Sequence, residues 1–125
     1  MSIGYFESSA VVSLLAPGRR GDVAAEVWKS LDVVCASKWM EIEVASGHGR
    51  QLDRMVWVWT VEALNLVDWT PEMHEIAIEL AWLGAPVSVA THVACATVVT
   101  ADHFVTSSAV AHDWAELRGL NVVRL

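Results

Sequence analysis

Short apolar runs separated by helix-forming segments are the feature that most limits the fold of this chain. Four such runs have the length and composition of buried strands, at Ile3–Phe6, Val33–Ala36, Thr97–Thr100 and Asn121–Arg124. Segments with helical patterns fill the intervals, as they do in parallel sheets whose crossover helices cover both faces. The sequence therefore predicts a single α/β domain over residues 1–125, a three-layer sandwich with a mostly parallel central sheet.

Capping residues mark several helix boundaries. Thr70 followed by Pro71 is typical of a helix start, and the apolar pattern continues from there to about Leu83. Ser37 has the position of a cap for the helix after the second strand. Longer helices are predicted over Gln51–Asn65 and Val105–Leu117.

Composition limits the classes of partner. Fifteen acidic residues against eight basic ones give a net charge of −7, so charge alone does not favour a nucleic-acid backbone. Carboxylates of this number suit either solubility or a bound cation. Cys35 and Cys95 lie within apolar runs without metal-ligand spacing, which indicates buried free thiols and suits a reducing cytoplasm. No signal peptide or membrane-spanning segment is expected.

Three carboxylates stand at or after predicted strands. Glu7 ends the first strand, Glu43 lies on the helix after the second, and Asp102 follows the run Thr97–Thr100. Sites in open α/β sheets are built at the carboxyl ends of the strands, so these three acids are expected to meet there. Simpler roles remain open, because Glu7 and Asp102 could cap helices and Glu43 could be solvated.

The order of motifs resembles a known family. Five stretches carry the resemblance: Tyr5–Ala10, the pair Ser37 and Glu43, Ala90–Ala94 around a histidine, Thr97–Asp102 as a Val-Thr-x-Asp strand, and Gly119–Val123. In this order they resemble PIN-domain proteins, the nuclease fold of many bacterial toxin–antitoxin ribonucleases.

The resemblance implies a metal-dependent ribonuclease, acting as the toxin of a toxin–antitoxin pair. Glu7, Glu43 and Asp102 would be the catalytic acids and the ligands of Mg²⁺ or Mn²⁺, and metal-bound water would attack an RNA phosphodiester. An antitoxin-like protein partner and a homodimer are also implied. Supporting roles around the ligands fall to the neighbouring polar residues Ser8, Ser9, Thr100 and His92.

Two departures from the family pattern concern the acids. Glu7 stands where the family has Asp, and Val89 stands where an Asp is expected three residues before His92. Ser88 is expected to point elsewhere around the helix and so to be a poor replacement. Three functions therefore remain open: a weakened ribonuclease, a PIN-fold protein that binds a protein partner or RNA without cleavage, and an unrelated domain with structural acids.

Other polar and aromatic residues favour simpler roles. His92 lies in an apolar helical segment, which favours a buried, hydrogen-bonded histidine over a catalytic base. Trp57 and Trp59 are two residues apart and cannot share a helix face. With Trp59 on the apolar stripe, Trp57 is expected at the surface or in an interface. No nucleophile elbow, phosphate loop or dinucleotide fingerprint is present.

Overall fold

Every strand of the central sheet is parallel to its neighbours. A computed structural model describes residues 1–125 as five strands and seven helices. The strands are β1 (Ile3–Phe6), β2 (Val33–Ser37), β3 (Asn65–Val67), β4 (His103–Thr106) and β5 (Val122–Arg124). The helices are α1 (Ser8–Leu15), α2 (Arg19–Ser30), α3 (Lys38–His48), α4 (Arg54–Ala63), α5 (Pro71–Trp82), α6 (Val87–Val98) and α7 (Ala109–Leu117).

The strand order is β3-β2-β1-β4-β5, so the chain reverses its direction of winding between β1 and β4. Tyr5 pairs with Cys35 on one side and with Phe104 on the other, which fixes the register around β1. In doubly wound sheets, the crevice beyond the carboxyl ends of strands at such a reversal is the usual place for a site. The residues that follow β1 and β4 therefore lie where function is expected.

Hydrophobic cores cover both faces of the sheet. Adjacent residues of β1 point to opposite faces, so Tyr5 joins the core under α5, α6 and α7, while Phe6 joins the core under α1, α2 and α3. Both side chains are fully buried. Burial on both faces explains why the strands are continuously apolar rather than alternating. This arrangement confirms the predicted α/β architecture with helices on both sides of a parallel sheet.

Side-chain caps start the helices that the sequence marked most clearly. The Ser37 hydroxyl accepts the amide of Trp39 at the start of α3, and Thr70 accepts the amide of Met73 at the start of α5. The cap of α1 is Glu7, not the serines that follow it, because its carboxylate accepts the Ser9 amide. β1 therefore passes directly into α1.

The prediction of a strand over Thr97–Thr100 is wrong. Thr97 is in the last turn of α6, and its hydroxyl donates back to the carbonyl of Val93. Thr100 has a φ of 52°, a left-handed conformation that ends the helix and turns the chain towards β4. β-branched residues at the end of a buried helix produced the same apolar pattern as a strand.

Other boundaries also differ from the prediction. The helix predicted over Gln51–Asn65 is shorter, and Asn65–Val67 forms the edge strand β3 instead. The helix predicted over Val105–Leu117 begins only at Ala109, since Val105 lies in β4. Trp57 packs against the core and Trp59 is 62% exposed, the reverse of the expected orientation.

None of the helices is long and apolar enough to cross a lipid bilayer.

The conformation of Thr100 gives a direct test of the revised boundary. We expect Thr100→Gly to stabilise the protein by about 0.5–1 kcal/mol, because glycine adopts a positive φ without the penalty that a β-branched residue incurs. Thr97→Gly, within the helix, should destabilise it by a similar amount. Urea unfolding measures both changes, and a destabilising Thr100→Gly would contradict the turn and favour a strand.

Candidate functional site

Glu7 lies buried where β1 ends, inside a network of hydroxyl groups. One carboxylate oxygen, Oε2, accepts the Thr106 hydroxyl at 2.8 Å, the Ser9 amide at 3.1 Å, and the Ser9 hydroxyl. The Ser9 hydroxyl also accepts the amide of Ser107 at 2.9 Å. The carboxylate therefore joins the ends of β1 and β4 and the start of α1, and its charge is stabilised by these donors.

Glu43 reaches the same edge of the sheet from α3. Its Oε1 accepts the Ser8 hydroxyl at 2.9 Å and contacts His92 Nε2 at 2.5 Å, while Oε2 accepts the Ser88 hydroxyl. Three elements, α1, α3 and α6, thus meet at one carboxylate. Ser88 takes part in this network, contrary to the expectation that it points elsewhere.

His92 is completely buried, and both ring nitrogens have partners. Nδ1 lies 2.6 Å from the Tyr5 hydroxyl, which also accepts the Ser37 amide at 3.2 Å. Burial raises the pKa of the Tyr5 hydroxyl well above its usual value, so this group keeps its proton. With the Tyr5 proton donated to Nδ1, the imidazole donates its Nε2 proton to Glu43. Hydrogen bonds thus run from Ser37 through Tyr5 and His92 to Glu43.

The network holds the Glu43 carboxyl in its ionised form. Burial raises the pKa of this carboxyl, but hydrogen bonds from His92, Ser88 and Ser8 outweigh that effect and keep the pKa below its usual 4.5. Charge-assisted hydrogen bonds of this kind favour the ionised state of the acceptor.

The grouping of Ser8, His92 and Glu43 is not a nucleophilic triad. A triad needs the nucleophile and the acid on opposite ring nitrogens, so that the imidazole accepts a proton from one side while the acid orients it from the other. Ser8 and Glu43 both lie at Nε2, at 3.0 Å and 2.5 Å, and Nδ1 is bonded to the buried Tyr5. Acyl transfer through Ser8 is therefore not supported.

Asp102 does not join the other acids. It precedes β4, and its carboxylate accepts the amide of Ile3 at 2.7 Å, at the start of β1. Glu7 is at the opposite end of that strand, on the order of 13 Å away at about 3.3 Å per residue. Thr100, predicted to support the ligands, lies beyond the same amino-terminal end and donates to the carbonyl of Val99.

With the strand at His103–Thr106, the residues that correspond to the Val-Thr-x-Asp pattern are Val105 to Ser108. Val105 and Thr106 end β4, and the position of the acid is taken by Ser108. The Ser108 hydroxyl accepts the amide of Ala111 as the cap of α7. Val89, at another acid position, packs against the core. Two of the four expected acid positions therefore carry no carboxylate.

The residues at this edge do not fit a Mg²⁺ or Mn²⁺ centre. No group of three or more His, Cys, Asp and Glu side chains is placed to hold a metal ion. The two carboxylates present, Glu7 and Glu43, each accept three hydrogen bonds from neighbouring hydroxyl, amide and imidazole groups. A hard divalent cation needs several oxygen ligands in a defined geometry, and two carboxylates held in this way do not supply them.

A groove of about 730 Å³ opens beside this network. Glu43 borders it and Glu7 does not, so the groove meets only one of the two acids. The other lining side chains are mainly small or basic, and Trp, Tyr and Phe are absent from them. They include the serines Ser8, Ser9, Ser13 and Ser107, the arginines Arg19 and Arg20, and His48.

Three members of the network were not identified from the sequence as site residues: Tyr5, Thr106 and Ser88. In the sequence Tyr5 is part of an apolar strand, and its hydroxyl contact with His92 joins positions 87 residues apart. Thr106 falls within the helix predicted over Val105–Leu117, whereas the structure places it at the end of β4. A polar residue at the end of a buried strand is the signal that could have identified Thr106.

Comparisons with known proteins identify the fold. No protein-family model matches the sequence, and no curated protein sequence matches it. Among solved structures, the chain is similar to a toxin–antitoxin complex from Klebsiella pneumoniae, with a TM-score of 0.76, 18% identity, and coverage of 96% of this chain and 95% of the other.

Two further structures are similar at 13% identity. VapBC2 from Rickettsia felis, bound to a DNA fragment from their promoter, has a TM-score of 0.72 and coverage of 98% of both chains. FitAcB from Neisseria gonorrhoeae has a TM-score of 0.67, with coverage of 97% of this chain and 96% of the other. The α/β fold is therefore PIN-like, as the sequence predicted.

The lowered pKa of Glu43 predicts how stability changes with pH. Since its pKa is lower in the folded than in the unfolded protein, its stabilising effect is complete above about pH 4.5 and is lost as the pH falls through the folded value. Glu43→Gln should lower stability at neutral pH and weaken the loss of stability in acid. Urea unfolding from neutral to acidic pH measures this, with Glu41→Gln on the same helix as the charge control. Equal acid dependence in wild type and Glu43→Gln would contradict the role assigned to this carboxylate.

Proposed function

We propose that this protein is a toxin-type PIN-like domain that acts by binding a protein partner and does not cleave RNA with a metal ion. One observation carries the proposal: only Glu7 and Glu43 bring carboxylates to the hydrogen-bond network beyond the ends of β1 and β4, and both accept hydrogen bonds from within the protein. Metal-assisted hydrolysis needs an ion that activates water and stabilises the charge of the transition state. The donor set gives that ion no adequate site.

Helix α4 supports the binding role. None of its ten residues is buried, although most of them are apolar. Met55 is 58% exposed and Trp59 is 62% exposed, far more than their hydrophobicity favours in an isolated chain. This helix therefore presents an apolar face that a second molecule would cover.

An apolar hollow of about 360 Å³ lies beside that face, where α1, α2 and α4 meet. We call it the α4 hollow; Leu14, Ala25, Trp28, Lys29, Val56, Trp59, Thr60 and Ala63 line it. Its mostly apolar lining suits the apolar face of a helix, with side chains three and four residues apart entering the hollow. Trp59 and Trp28 are the residue type that most often dominates binding energy in such contacts.

The partner best supported is a helical segment of an antitoxin-like protein. This choice of partner rests on analogy with similar solved structures. The one from K. pneumoniae is described as a toxin–antitoxin complex. A homodimer stays a prediction from the resemblance. The exposed side chains of Trp39, Ile42 and Trp69 border a second hollow of about 410 Å³ and are the candidate surface for it.

Metal titration tests the absence of a cation site. We expect calorimetry to detect no specific binding of Mn²⁺ or Mg²⁺ to the wild type, and a divalent ion to add no RNA cleavage. Val89→Asp/Ser108→Asp returns carboxylates to both vacant acid positions and should bind Mn²⁺ measurably. Val87→Asp/Leu117→Asp, at exposed positions of the same two helices, is a charge-matched control. Tight binding by the wild type, abolished by Glu43→Gln and accompanied by cleavage, would restore the ribonuclease hypothesis.

Peptide selection tests the α4 hollow. From a phage-displayed library of helical peptides, we expect selected sequences to carry apolar residues three and four positions apart. Trp59→Ala should weaken their binding at least tenfold, because it removes a large exposed anchor from the hollow. Trp82→Ala, which removes a tryptophan that is 87% exposed on α5, should leave binding unchanged. Peptides that bind both variants equally would contradict this docking site.

A further inference from the structure

The basic residues of this acidic protein are not distributed evenly. Half of the eight take part in contacts: Lys29 with Glu26, Lys38 with Asp68, Arg118 with Glu79, and Arg124 with His112. The other four are exposed and form no ion pair. These are Arg19, Arg20, Arg50 and Arg54, and together we call them the basic rim.

Two of the four rim arginines border the groove beside Glu43. Arg19 and Arg20 line the groove together with His48, which belongs to the last turn of α3. Arg54 lines a smaller hollow beside the same turn, with Ala45 and Gly49. Arg50 follows directly after Gly49 in the chain. All four arginines therefore lie around the start of α2 and the connection between α3 and α4.

Topology places the basic rim at one end of the α4 hollow. α2 precedes β2 and α4 precedes β3, and each helix returns the chain to the amino end of a parallel strand. Both helices therefore begin towards the carboxyl edge, and both begin with arginine, Arg19 in α2 and Arg54 in α4. Further along, the same two helices provide Trp28 and Trp59 to the hollow.

None of the nearby acids forms an ion pair with the rim arginines. The Asp53 carboxylate caps α4, where it accepts the amides of Met55 and Val56. Asp22 lies one turn into α2 and borders a separate hollow with Val23 and Glu26. Glu43 lines the groove but is bonded to His92, Ser8 and Ser88.

We infer that the basic rim binds an acidic segment of the protein partner, next to the apolar helix that fills the α4 hollow. This inference rests on the proposed function and adds the charge of the partner to it. Carboxylates would pair with the exposed arginines in bidentate contacts, which arginine favours over lysine.

A nucleic acid fits these observations less well. Sites for single-stranded nucleic acid combine basic groups with aromatic side chains on which bases stack. The lining of the groove contains no Trp, Tyr or Phe, and Trp57, in the smaller hollow beside Arg54, packs against the core. Four arginines beside an apolar hollow match a short acidic stretch of protein better.

Hexaglutamate tests the rim by itself, because it has no apolar side chain to fill the α4 hollow. In ¹⁵N-labelled protein at low ionic strength, we expect saturable chemical-shift changes confined to Arg19, Arg20, Arg50, Arg54 and their neighbours. Raising the salt to physiological strength should weaken binding several-fold, since the contacts are exposed. Arg19→Glu/Arg20→Glu should weaken it at least tenfold, and the charge-matched control Lys38→Glu/Arg118→Glu should reduce it much less.

Three results would overturn the inference: no saturable shifts, equal weakening in the two double variants, or shifts centred elsewhere. Heptauridylate, which carries a comparable charge, is the competing probe, and its tighter binding to the same arginines would assign the rim to nucleic acid. Failure of hexaglutamate with successful peptide selection at Trp59 would reject the acidic segment and keep the proposed function. If hexaglutamate binds the rim but Trp59→Ala leaves the binding of selected peptides unchanged, the docking site in the α4 hollow is rejected.

Discussion

The hydrogen bonds of His92 are the interaction on which the carboxyl edge of the sheet depends. A fully buried imidazole needs partners at both nitrogens, since an unsatisfied polar group in the core costs about 1–3 kcal/mol. Tyr5 and Glu43 meet this need from β1 and α3, with Ser8 at the same nitrogen as Glu43. No buried side-chain polar atom is left without a partner. α1, α3 and α6 are thereby held against the end of β1.

This arrangement gives the acids a structural role. In a parallel sheet that reverses between β1 and β4, polar residues collect beyond the strand ends, where a fold of this kind builds its sites. Here Glu7 joins β1 to Thr106 of β4, and Glu43 joins α3 to α6. The remaining acid positions carry Val89, which is partly buried against the core, and Ser108, which caps α7. Since no group of three ligands is placed to hold a metal ion, the apolar surface of α4 is the main unpartnered feature.

The architecture could be predicted from the sequence because its signals are local. The apolar run Ile3–Phe6 and the cap residues Ser37 and Thr70 depend on neighbouring residues alone. The strand prediction over Thr97–Thr100 was wrong because this run resembles His103–Thr106: both are short and rich in β-branched or apolar residues. Only pairing with β1 distinguishes the true strand. That pairing is between residues about a hundred positions apart, which a local pattern does not contain.

The site was predicted in part for the same reason. Glu7 and Glu43 lie at the predicted edge because β1 and α3 were correctly predicted. Asp102 lies at the opposite edge because it precedes β4 and does not follow a strand over Thr97–Thr100. The contacts of Tyr5 and Ser88 depend on how α6 lies across the sheet, and no local motif specifies that geometry. The orientation of α4 is another tertiary property, so its exposed tryptophan was assigned to the core.

The most direct test of a closed, metal-free edge is anomalous diffraction from a crystal soaked in a manganese salt. The account predicts no anomalous peak at Glu7 or Glu43, and a Glu43 carboxylate still bonded to His92, Ser8 and Ser88. A well-occupied manganese ion bound by both carboxylates, with the hydrogen bonds to the hydroxyl groups broken, would contradict it.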